Sequence, residues 1–225
     1  MLRPLALALS ILGAAAACAD SAPEPPVPSV RTLITEHINA DTRPDSFTQS
    51  ADLGRVLGNA AAPVWVVIVG DFQCEECKRW NDEVFPLIRT EYVTTGRIRL
   101  AYLNMPLQAH LNGTASALAA GCASAQGKFW ETYARIFATQ SRWKDLPDAR
   151  PFLDSLAVDA GADAATQRVC TERARALKLI RQDSERSRAA AVESLPTFFI
   201  GTHRRVGNAP IAAFRAVIDS ALAGK

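Results

Sequence analysis

The chain has 225 residues, of which 25 are lysine or arginine and 23 are aspartate or glutamate, so its formal net charge is +2. This near balance gives no general electrostatic reason to bind nucleic acid, and a hydrophobic content of 48% excludes a chain that is disordered throughout. The length fits one large domain, or one domain that carries an insertion.

The chain contains five cysteines, so at least one of them must be free, modified, shared with a partner or removed. Residues 1–17 predict an export signal, because Arg3 precedes an apolar run that is too short to span a bilayer and is followed by small residues. Cleavage before Cys18, the preferred site, would make it the lipid-bearing N-terminus of a lipoprotein, whereas cleavage at Ala17-Cys18-Ala19 would remove it. Either way, four cysteines remain in an oxidising, extracytoplasmic compartment.

Residues 18–50 predict a tether and an N-terminal extension. Four prolines within residues 23–28 exclude a helix or a central strand and favour an extended spacer, which suits a tether that holds a domain off a membrane. A frayed terminus without function is the alternative. A short strand or helix is compatible with Val30–Ile38, and the sequence does not decide between them.

The main domain begins with a predicted strand. Residues 64–70, Val-Trp-Val-Val-Ile-Val-Gly, carry apolar side chains on both alternating faces, as expected of a central strand that is covered on both sides. The strand leads into Cys74-Glu-Glu-Cys77, after which apolar residues recur at helical spacing as far as Tyr92. Arg97–Leu103 alternates and predicts the next strand, so the Cys-x-x-Cys lies where a buried strand turns into the helix of a β-α-β unit.

The position of this Cys-x-x-Cys favours redox chemistry. A thiol at the first helical turn faces unpaired N–H groups and the positive end of the helix dipole, so Cys74 is the predicted nucleophile. Cys77, three residues on, can close or resolve a disulfide. A zinc site would need two more ligands and no second Cys-x-x-Cys exists, while a purely structural disulfide over so small a loop would add little stability.

A second motif lies far downstream. Residues 192–201, Val-Glu-Ser-Leu-Pro-Thr-Phe-Phe-Ile-Gly, place Pro196 at the entry of an apolar strand, where its missing N–H is tolerated. Together with the Asp-Phe-Gln-Cys that ends at Cys74 and the Gly-Lys-Phe-Trp at 127–130, this motif closely resembles the DsbA-like thiol-disulfide oxidoreductases of the thioredoxin superfamily. The resemblance covers residues 53–222.

The resemblance implies an α/β architecture, a thioredoxin fold with an inserted α-helical domain. In that family the proline is cis and lies against the Cys-x-x-Cys, and the backbone beside it pairs with bound substrate, a role that falls on Leu195 and Pro196. The domain would cover residues 51–225 and the insertion about 108–190. The sequence agrees independently, because residues 108–190 show helical patterning and no convincing strand.

Within the insertion, Cys122 and Cys170 lie on predicted core-facing stripes of two different helices. Two buried apolar thiols are one interpretation. In an exported protein we favour a structural disulfide between them, a bridge that also occurs in some DsbA-like relatives. Over this sequence separation such a bridge would contribute roughly 4 kcal/mol in the chain-entropy model. The basic stretch at 168–188 predicts a solvated helix face.

The residues between the cysteines differ from those of strongly oxidising DsbA enzymes, which have a proline and a histidine there. Glu75 and Glu76 place two carboxylates near Cys74 and oppose its ionisation, unless both point into water. We therefore expect a Cys74 pKa nearer the roughly 7 of thioredoxin than the roughly 3.5 of DsbA, and a weaker oxidant. Asp71 is interpreted as a hydrogen-bonded strand-end carboxylate rather than a proton relay, and His110 as a surface or satisfied residue.

These features predict an exported thiol-disulfide oxidoreductase in the periplasm or cell envelope, lipid-anchored if Cys18 is modified. Cys74 would exchange with substrate cysteines and Cys77 would resolve the mixed disulfide, without a cofactor or metal, because the cysteine pair carries the electrons. Expected partners are cysteine-containing exported proteins and a membrane redox partner, with no nucleic acid, and a monomer is expected. The alternatives are a reductase or isomerase of the same fold, and a binding module whose Cys-x-x-Cys is only structural.

Overall fold

The computed structural model describes residues 45–224. The predicted export signal, Cys18, the proline-rich spacer and the element predicted at Val30–Ile38 lie outside these residues. The strands are Val56–Gly58 (β1), Val64–Gly70 (β2), Ile98–Asn104 (β3), Thr197–Ile200 (β4) and His203–Val206 (β5). The helices are Ser46–Gly54 (α1), Glu75–Glu83 (α2), Phe85–Ile88 (α3), Gly113–Ser124 (α4), Phe129–Ala138 (α5), Gln140–Trp143 (α6), Arg150–Asp159 (α7), Ala164–Glu172 (α8), Leu177–Ala189 (α9) and Ile211–Leu222 (α10), with a π-helical turn at Arg89–Val93.

The five strands form one mixed sheet in the order β1-β3-β2-β4-β5. β2 and β3 are parallel, whereas β1 pairs antiparallel with β3, β4 with β2, and β5 with β4. Val67 of β2 stands opposite Ala101 of β3 and Phe199 of β4, so β2 is a central strand, as predicted. Because parallel neighbours need a crossover, the chain passes from β2 to β3 through α2 and α3. The loop that begins α2 therefore lies at the carboxyl end of β2.

An aromatic core supports this end of the sheet. The segment Val66–Gly70 is buried throughout, as a strand with helices on both faces requires. Trp80 of α2 and Phe214 of α10 contact Phe198 of β4, with ring centroids 4.8 and 4.9 Å apart. Phe72, just beyond β2, packs on rings of β3 and α5, which are Tyr102, Phe129, Tyr133 and Phe137. The loop after β2 is thus anchored by buried rings before it reaches Cys74.

Six helices, α4 to α9, are inserted between β3 and β4. The sequence predicts one apolar stripe over residues 118–137, but the structure divides it between α4 and α5, because Gly127 adopts a φ of 69° and the first helix ends before it. Cys122 in α4 and Cys170 in α8 form a disulfide whose Cα atoms are 5.8 Å apart. The bridge joins two helices of the insertion.

The packed part of the described chain begins inside the segment predicted as an N-terminal extension. Ala51 of α1 is fully buried, and its carbonyl oxygen accepts a hydrogen bond from the Ser124 hydroxyl at 2.6 Å. Directly after α1, the guanidinium of Arg55 forms a buried ion pair with Asp183 of α9. The C-terminal half of α1 is therefore tied to the insertion. Among residues 45–224, no helix combines the length and apolar composition needed to cross a membrane.

Candidate active site

Cys74 lies where the loop after β2 enters α2. It caps this helix, because its backbone is extended and its Sγ accepts a hydrogen bond from the backbone N–H of Cys77 at 3.3 Å. The sulfur therefore faces the unpaired N–H groups of the first turn and the positive end of the helix dipole, both of which stabilise a thiolate. Cys74 is only 8% exposed, and that exposed part lines a groove.

The two thiols of the pair differ in acidity. Hydrogen bonds from the Cys77 thiol and from the backbone N–H groups of Cys77 and Glu76 lower the pKa of Cys74 to about 7, although burial and the charge of Asp71 act in the opposite direction. Burial raises the pKa of Cys77 well above its ordinary value, and its hydrogen bond to Cys74 raises that pKa further. Near neutral pH, Cys74 is therefore the thiolate of the pair and Cys77 keeps its proton.

A groove of about 520 Å³ opens over Cys74. One wall is the segment that precedes β4, in which the Leu195-Pro196 peptide bond is cis. The carbonyl oxygen of Leu195 lies 3.9 Å from Cys74 Sγ, so this backbone borders the thiol directly. The lining residues are Gln73, Cys74, Glu75, Glu76, Leu107, His110, Lys144, Glu193, Ser194 and Leu195.

The structure thus brings three of the sequence-predicted site residues, Cys74, Cys77 and Leu195, to one place, with Pro196 directly after Leu195. The disulfide between Cys122 and Cys170 is not part of the groove lining. It lies in the inserted helices, apart from the Cys74 and Cys77 pair.

Glu75 and Glu76 point into solvent, with side chains that are 75% and 47% exposed. Glu76 also pairs with Arg79 at 2.8 Å. The carboxylate that opposes ionisation of Cys74 is instead that of Asp71. The pKa of Cys74 therefore has the value expected from the sequence, but the expected cause, repulsion by the two glutamates, is wrong.

Asp71 is a fully buried carboxylate beside the cysteine pair. Its oxygens accept hydrogen bonds from the backbone N–H groups of Gln73 and Leu107, both at 2.8 Å, and Oδ2 lies 2.7 Å from His110 Nδ1. A Cβ atom at Gly113 would meet the carboxylate at 2.9 Å, so glycine lets the N-terminus of α4 approach this negative charge. Asp71 is a hydrogen-bonded carboxylate just after the strand end, as interpreted from the sequence, and His110 is its partner at the groove.

Two further residues hold the cysteine loop in place. No sequence motif points to Gln140, and Gln73 belongs to the Asp-Phe-Gln-Cys motif but has no role predicted from it. Gln140 of α6 donates through Nε2 to the carbonyl oxygens of Phe72 at 2.7 Å and Cys74 at 3.1 Å. The side-chain oxygen of Gln73 accepts a hydrogen bond from the backbone N–H of Asn112 at 2.7 Å. These bonds fasten the inserted helices to the loop, so the position of Cys74 depends on residues that are distant in sequence.

The chemistry available at this site is that of two thiols. Neither Cys74 nor Cys77 is bridged in the structure. Within residues 45–224, no three His, Cys, Asp or Glu side chains come together as metal ligands would. A stabilised thiolate next to a second thiol can attack a disulfide and then release the product by closing on itself.

Comparison with known proteins gives a family match over most of the domain. Residues 50–220 match the family model described as Thioredoxin. The Na(+)/H(+) antiporter NhaA 1 of Salinispora arenicola is 30% identical over 174 residues, which cover 77% of this chain and 25% of the antiporter. The Probable disulfide bond formation protein D of Bacillus anthracis is 26% identical over 181 residues, which cover 74% of this chain and 77% of that protein. The match thus spans only about a quarter of the antiporter's length.

A solved structure shares the fold. The crystal structure of oxidised BdbD from Bacillus subtilis superimposes with a TM-score of 0.70 at 22% sequence identity, covering 76% of this chain and 95% of that chain. At this identity the likeness concerns the fold, a central sheet with helices inserted into it.

Proposed function

The chain belongs to the thioredoxin family, and on this basis we propose that it is an extracytoplasmic thiol-disulfide oxidoreductase that exchanges a Cys74–Cys77 disulfide with cysteines of exported proteins. The observation that carries the proposal is the difference in acidity within the pair, with the pKa of Cys74 at about 7 and that of Cys77 held well above its ordinary value. A thiolate at a groove beside a buried, protonated thiol is suited to disulfide exchange. The name of the Bacillus anthracis relative, a disulfide bond formation protein, supports the same activity.

In the oxidising direction, a substrate thiolate attacks Cys74 Sγ. The bond between Cys74 and Cys77 breaks, a mixed disulfide joins the substrate to Cys74, and Cys77 leaves as a thiolate that takes up a proton. A second substrate thiolate then attacks the substrate sulfur of the mixed disulfide and expels the Cys74 thiolate. Two electrons pass from the substrate to the cysteine pair, and of the two substrate protons one is retained on Cys77 and one is released.

The asymmetry of the pair suits each step of this sequence. Cys74 borders the groove and is the sulfur that a substrate can reach, whereas Cys77 is 3% exposed. Because a thiol of low pKa is a good leaving group, Cys74 is released readily from the mixed disulfide. We assign substrate binding to the backbone of Leu195 and Pro196, since the Leu195 carbonyl oxygen lies 3.9 Å from the reactive sulfur.

The proposed location is the periplasm or cell envelope. Residues 1–17 have the composition of an export signal, and Cys18 follows them at the position that a lipoprotein would modify. The disulfide between Cys122 and Cys170, to which we assign a structural role, would persist in an oxidising compartment. The partners we propose are exported proteins with cysteines and a membrane protein that resets the pair, and we propose that the chain acts as a monomer.

One observation favours a second direction of electron flow. A Cys74 pKa of about 7 matches the roughly 7 of thioredoxin, a reductant, rather than the roughly 3.5 of DsbA. A reductase or isomerase would use the same groove and the same two sulfurs, but would receive electrons from its partner. Equilibration of the chain with glutathione buffers measures its reduction potential, and a value near thioredoxin's roughly −270 mV favours this direction.

A single substitution tests the redox proposal against the non-catalytic binding module. The oxidised chain is mixed with a reduced peptide that contains two cysteines, and disulfide formation in the peptide is followed over time. Cys74→Ser is expected to abolish the reaction because, within residues 45–224, no other sulfur lines the groove. Turnover that is unchanged in this variant would exclude the proposed mechanism.

A further inference from the structure

The groove over Cys74 carries more negative than positive charge. Three of its lining side chains are the carboxylates of Glu75, Glu76 and Glu193, whereas Lys144 is the one permanent cation among the described residues that line it. The lining histidine, His110, is turned toward the buried carboxylate of Asp71. A substrate that enters the groove therefore meets an excess of carboxylates close to the reactive sulfur.

The cations near the groove do not cancel this excess. Lys144 Nζ lies 3.0 Å from Asp145 and 4.0 Å from Glu75, so one ammonium is shared between two carboxylates. Arg79 compensates Glu76 at 2.8 Å. When these neighbours are included, the groove still carries more negative than positive charge.

Of the three carboxylates that line the groove, Glu193 is the most available to pair with a substrate. It is exposed, lies two residues before the cis Leu195-Pro196 bond, and forms no ion pair within residues 45–224. The guanidinium of Arg204 does not pair with Glu193. It binds the backbone shortly before Glu193, where it donates to the carbonyl oxygens of Ala190 at 3.5 Å and Ala191 at 2.6 Å. Glu193, on the segment that precedes β4, and Glu75, which follows Cys74 at the start of α2, thus both line the groove.

We propose that this groove selects cysteines that are flanked by lysine or arginine, and that Glu193 and Glu75 are the residues that make the selection. The inference rests on the proposed exchange activity and specifies its substrate class. A basic side chain next to the substrate cysteine would reach one of these carboxylates while its sulfur is in line with Cys74. An acidic side chain in the same place would be repelled.

The expected size of the effect follows from the exposure of these groups. An exposed ion pair contributes about 0.2 to 1 kcal/mol, so two such contacts change the rate constant about twofold to thirtyfold between a basic and a neutral flank. Because charges at a surface are screened over about 8 Å at physiological ionic strength, the preference falls as salt is added. A preference that arises from apolar packing against Leu107 would not respond to salt in this way.

The experiment uses the full chain with Cys74 and Cys77 oxidised and three reduced two-cysteine peptides of equal length. The residues that flank the first cysteine are two lysines, two serines or two glutamates. The second-order rate constant of single-turnover peptide oxidation is measured by acid quench and counting of thiols. Each rate is divided by the rate of the same peptide with a small uncharged disulfide, because a lysine neighbour also raises the intrinsic reactivity of a thiol.

The variants separate the groove from the rest of the surface. Glu193→Gln and the double variant Glu75→Gln/Glu193→Gln remove charge from the groove and keep side-chain size. Glu172→Gln is the matched control, because Glu172 is an exposed carboxylate on α8 that is not part of the groove lining. The ratio of the lysine-peptide to the glutamate-peptide rate constant is insensitive to any change in Cys74 reactivity, since both peptides attack the same sulfur.

The proposal predicts that the lysine peptide reacts fastest and the glutamate peptide slowest. It also predicts that the ratio falls toward unity in the double variant and in high salt, but not in Glu172→Gln. Normalised rates that are equal for the three peptides, or a ratio that survives in the double variant, would overturn the inference and leave the exchange activity standing. If none of the peptides is oxidised, the proposed function itself fails and the inference fails with it.

Discussion

Asp71 Oδ2 and His110 Nδ1 lie 2.7 Å apart, at the boundary between the buried end of the sheet and the open groove. The Asp71 side chain is 0% exposed and that of His110 is 24% exposed. His110 therefore lies between the buried carboxylate and the groove, where solvent and substrate can reach the imidazole. Because a carboxylate only accepts hydrogen bonds, His110 Nδ1 carries the proton. Since the charge of Asp71 raises the pKa of both cysteines, this contact connects the groove surface with the acidity of the pair.

Removal of the Asp71 charge should make Cys74 more acidic. In Asp71→Asn the side chain keeps its size but no longer opposes ionisation of the thiol, so the pKa of Cys74 should fall below its value of about 7. Thiolate absorbance followed against pH measures this midpoint. The control is Asp82→Asn, on an exposed part of α2, which should leave the midpoint in place. A midpoint that is unchanged or higher in Asp71→Asn would contradict the assigned role of this carboxylate.

The same substitution should also lower stability. In the Asp71→Asn variant, one amide oxygen would have to accept the hydrogen bonds that two carboxylate oxygens accept now, so a buried donor would lose its partner. A buried donor without a partner costs about 1 to 3 kcal/mol. Urea unfolding of the oxidised forms of both proteins measures the difference. A free energy of unfolding equal to that of the unchanged chain would show that the hydrogen bonds around Asp71 are dispensable.

The stability of the reduced chain should depend on pH through Cys74. Its folded pKa of about 7 lies below the roughly 8.5 of an unfolded thiol, so the associated stability is present above about pH 8.5 and is lost as the pH falls through 7. The full difference corresponds to about 2 kcal/mol. The folded pKa of Cys77 is raised, so Cys77 lowers the stability of the folded chain only as the pH rises above the pKa of the unfolded thiol.

The measurement is urea unfolding at about pH 6 and about pH 8.5 under reducing conditions, for the unchanged chain and for Cys74→Ala. The unchanged chain should gain stability between these two values relative to the variant. Parallel pH dependences in the two proteins would show that the folded chain does not favour the Cys74 thiolate.

The disulfide of the insertion should contribute stability without contributing to exchange. Cys122 and Cys170 are 48 residues apart, and a loop of this length corresponds to about 4 kcal/mol in the chain-entropy model. Replacement of both by alanine should lower the free energy of unfolding by up to that amount. Peptide oxidation at a temperature where the variant is folded should be retained, because neither residue lines the groove. If the variant were as stable as the unchanged chain, the structural role assigned to the disulfide would be wrong.

Sequence reasoning predicted the parts of the fold that have local causes. The apolar run before the Cys-x-x-Cys, the helix after it and the strand at 197–200 are found where their residue patterns indicate. The thioredoxin fold with inserted helices is confirmed by the sheet order and by the family match. The role of Cys74 as nucleophile is a prediction that also has a local cause, since the stabilisation of a thiolate at a helix N-terminus depends on the neighbouring backbone.

The missed features depend on contacts between segments that are distant in sequence. Gln140 lies 66 positions from the carbonyl of Cys74 to which it donates, and no local pattern distinguishes it from a surface glutamine. Asp183 lies within a basic stretch that predicts a solvated helix face, yet it is fully buried against Arg55, 128 residues earlier. His110 was interpreted as a surface or satisfied residue, which left its position at the groove unrecognised.

The most direct test of the central claim is to trap the mixed disulfide. Reduced Cys77→Ser and reduced Cys74→Ser are each mixed with a peptide dimer that is held together by one disulfide, and the products are weighed by mass spectrometry. Cys77→Ser should accumulate a one-to-one adduct through Cys74 that a reductant removes, because no resolving thiol remains, whereas Cys74→Ser should form none, since Cys77 is buried and protonated. The absence of an adduct with Cys77→Ser, or equal adducts with both variants, would contradict thiol-disulfide exchange through Cys74.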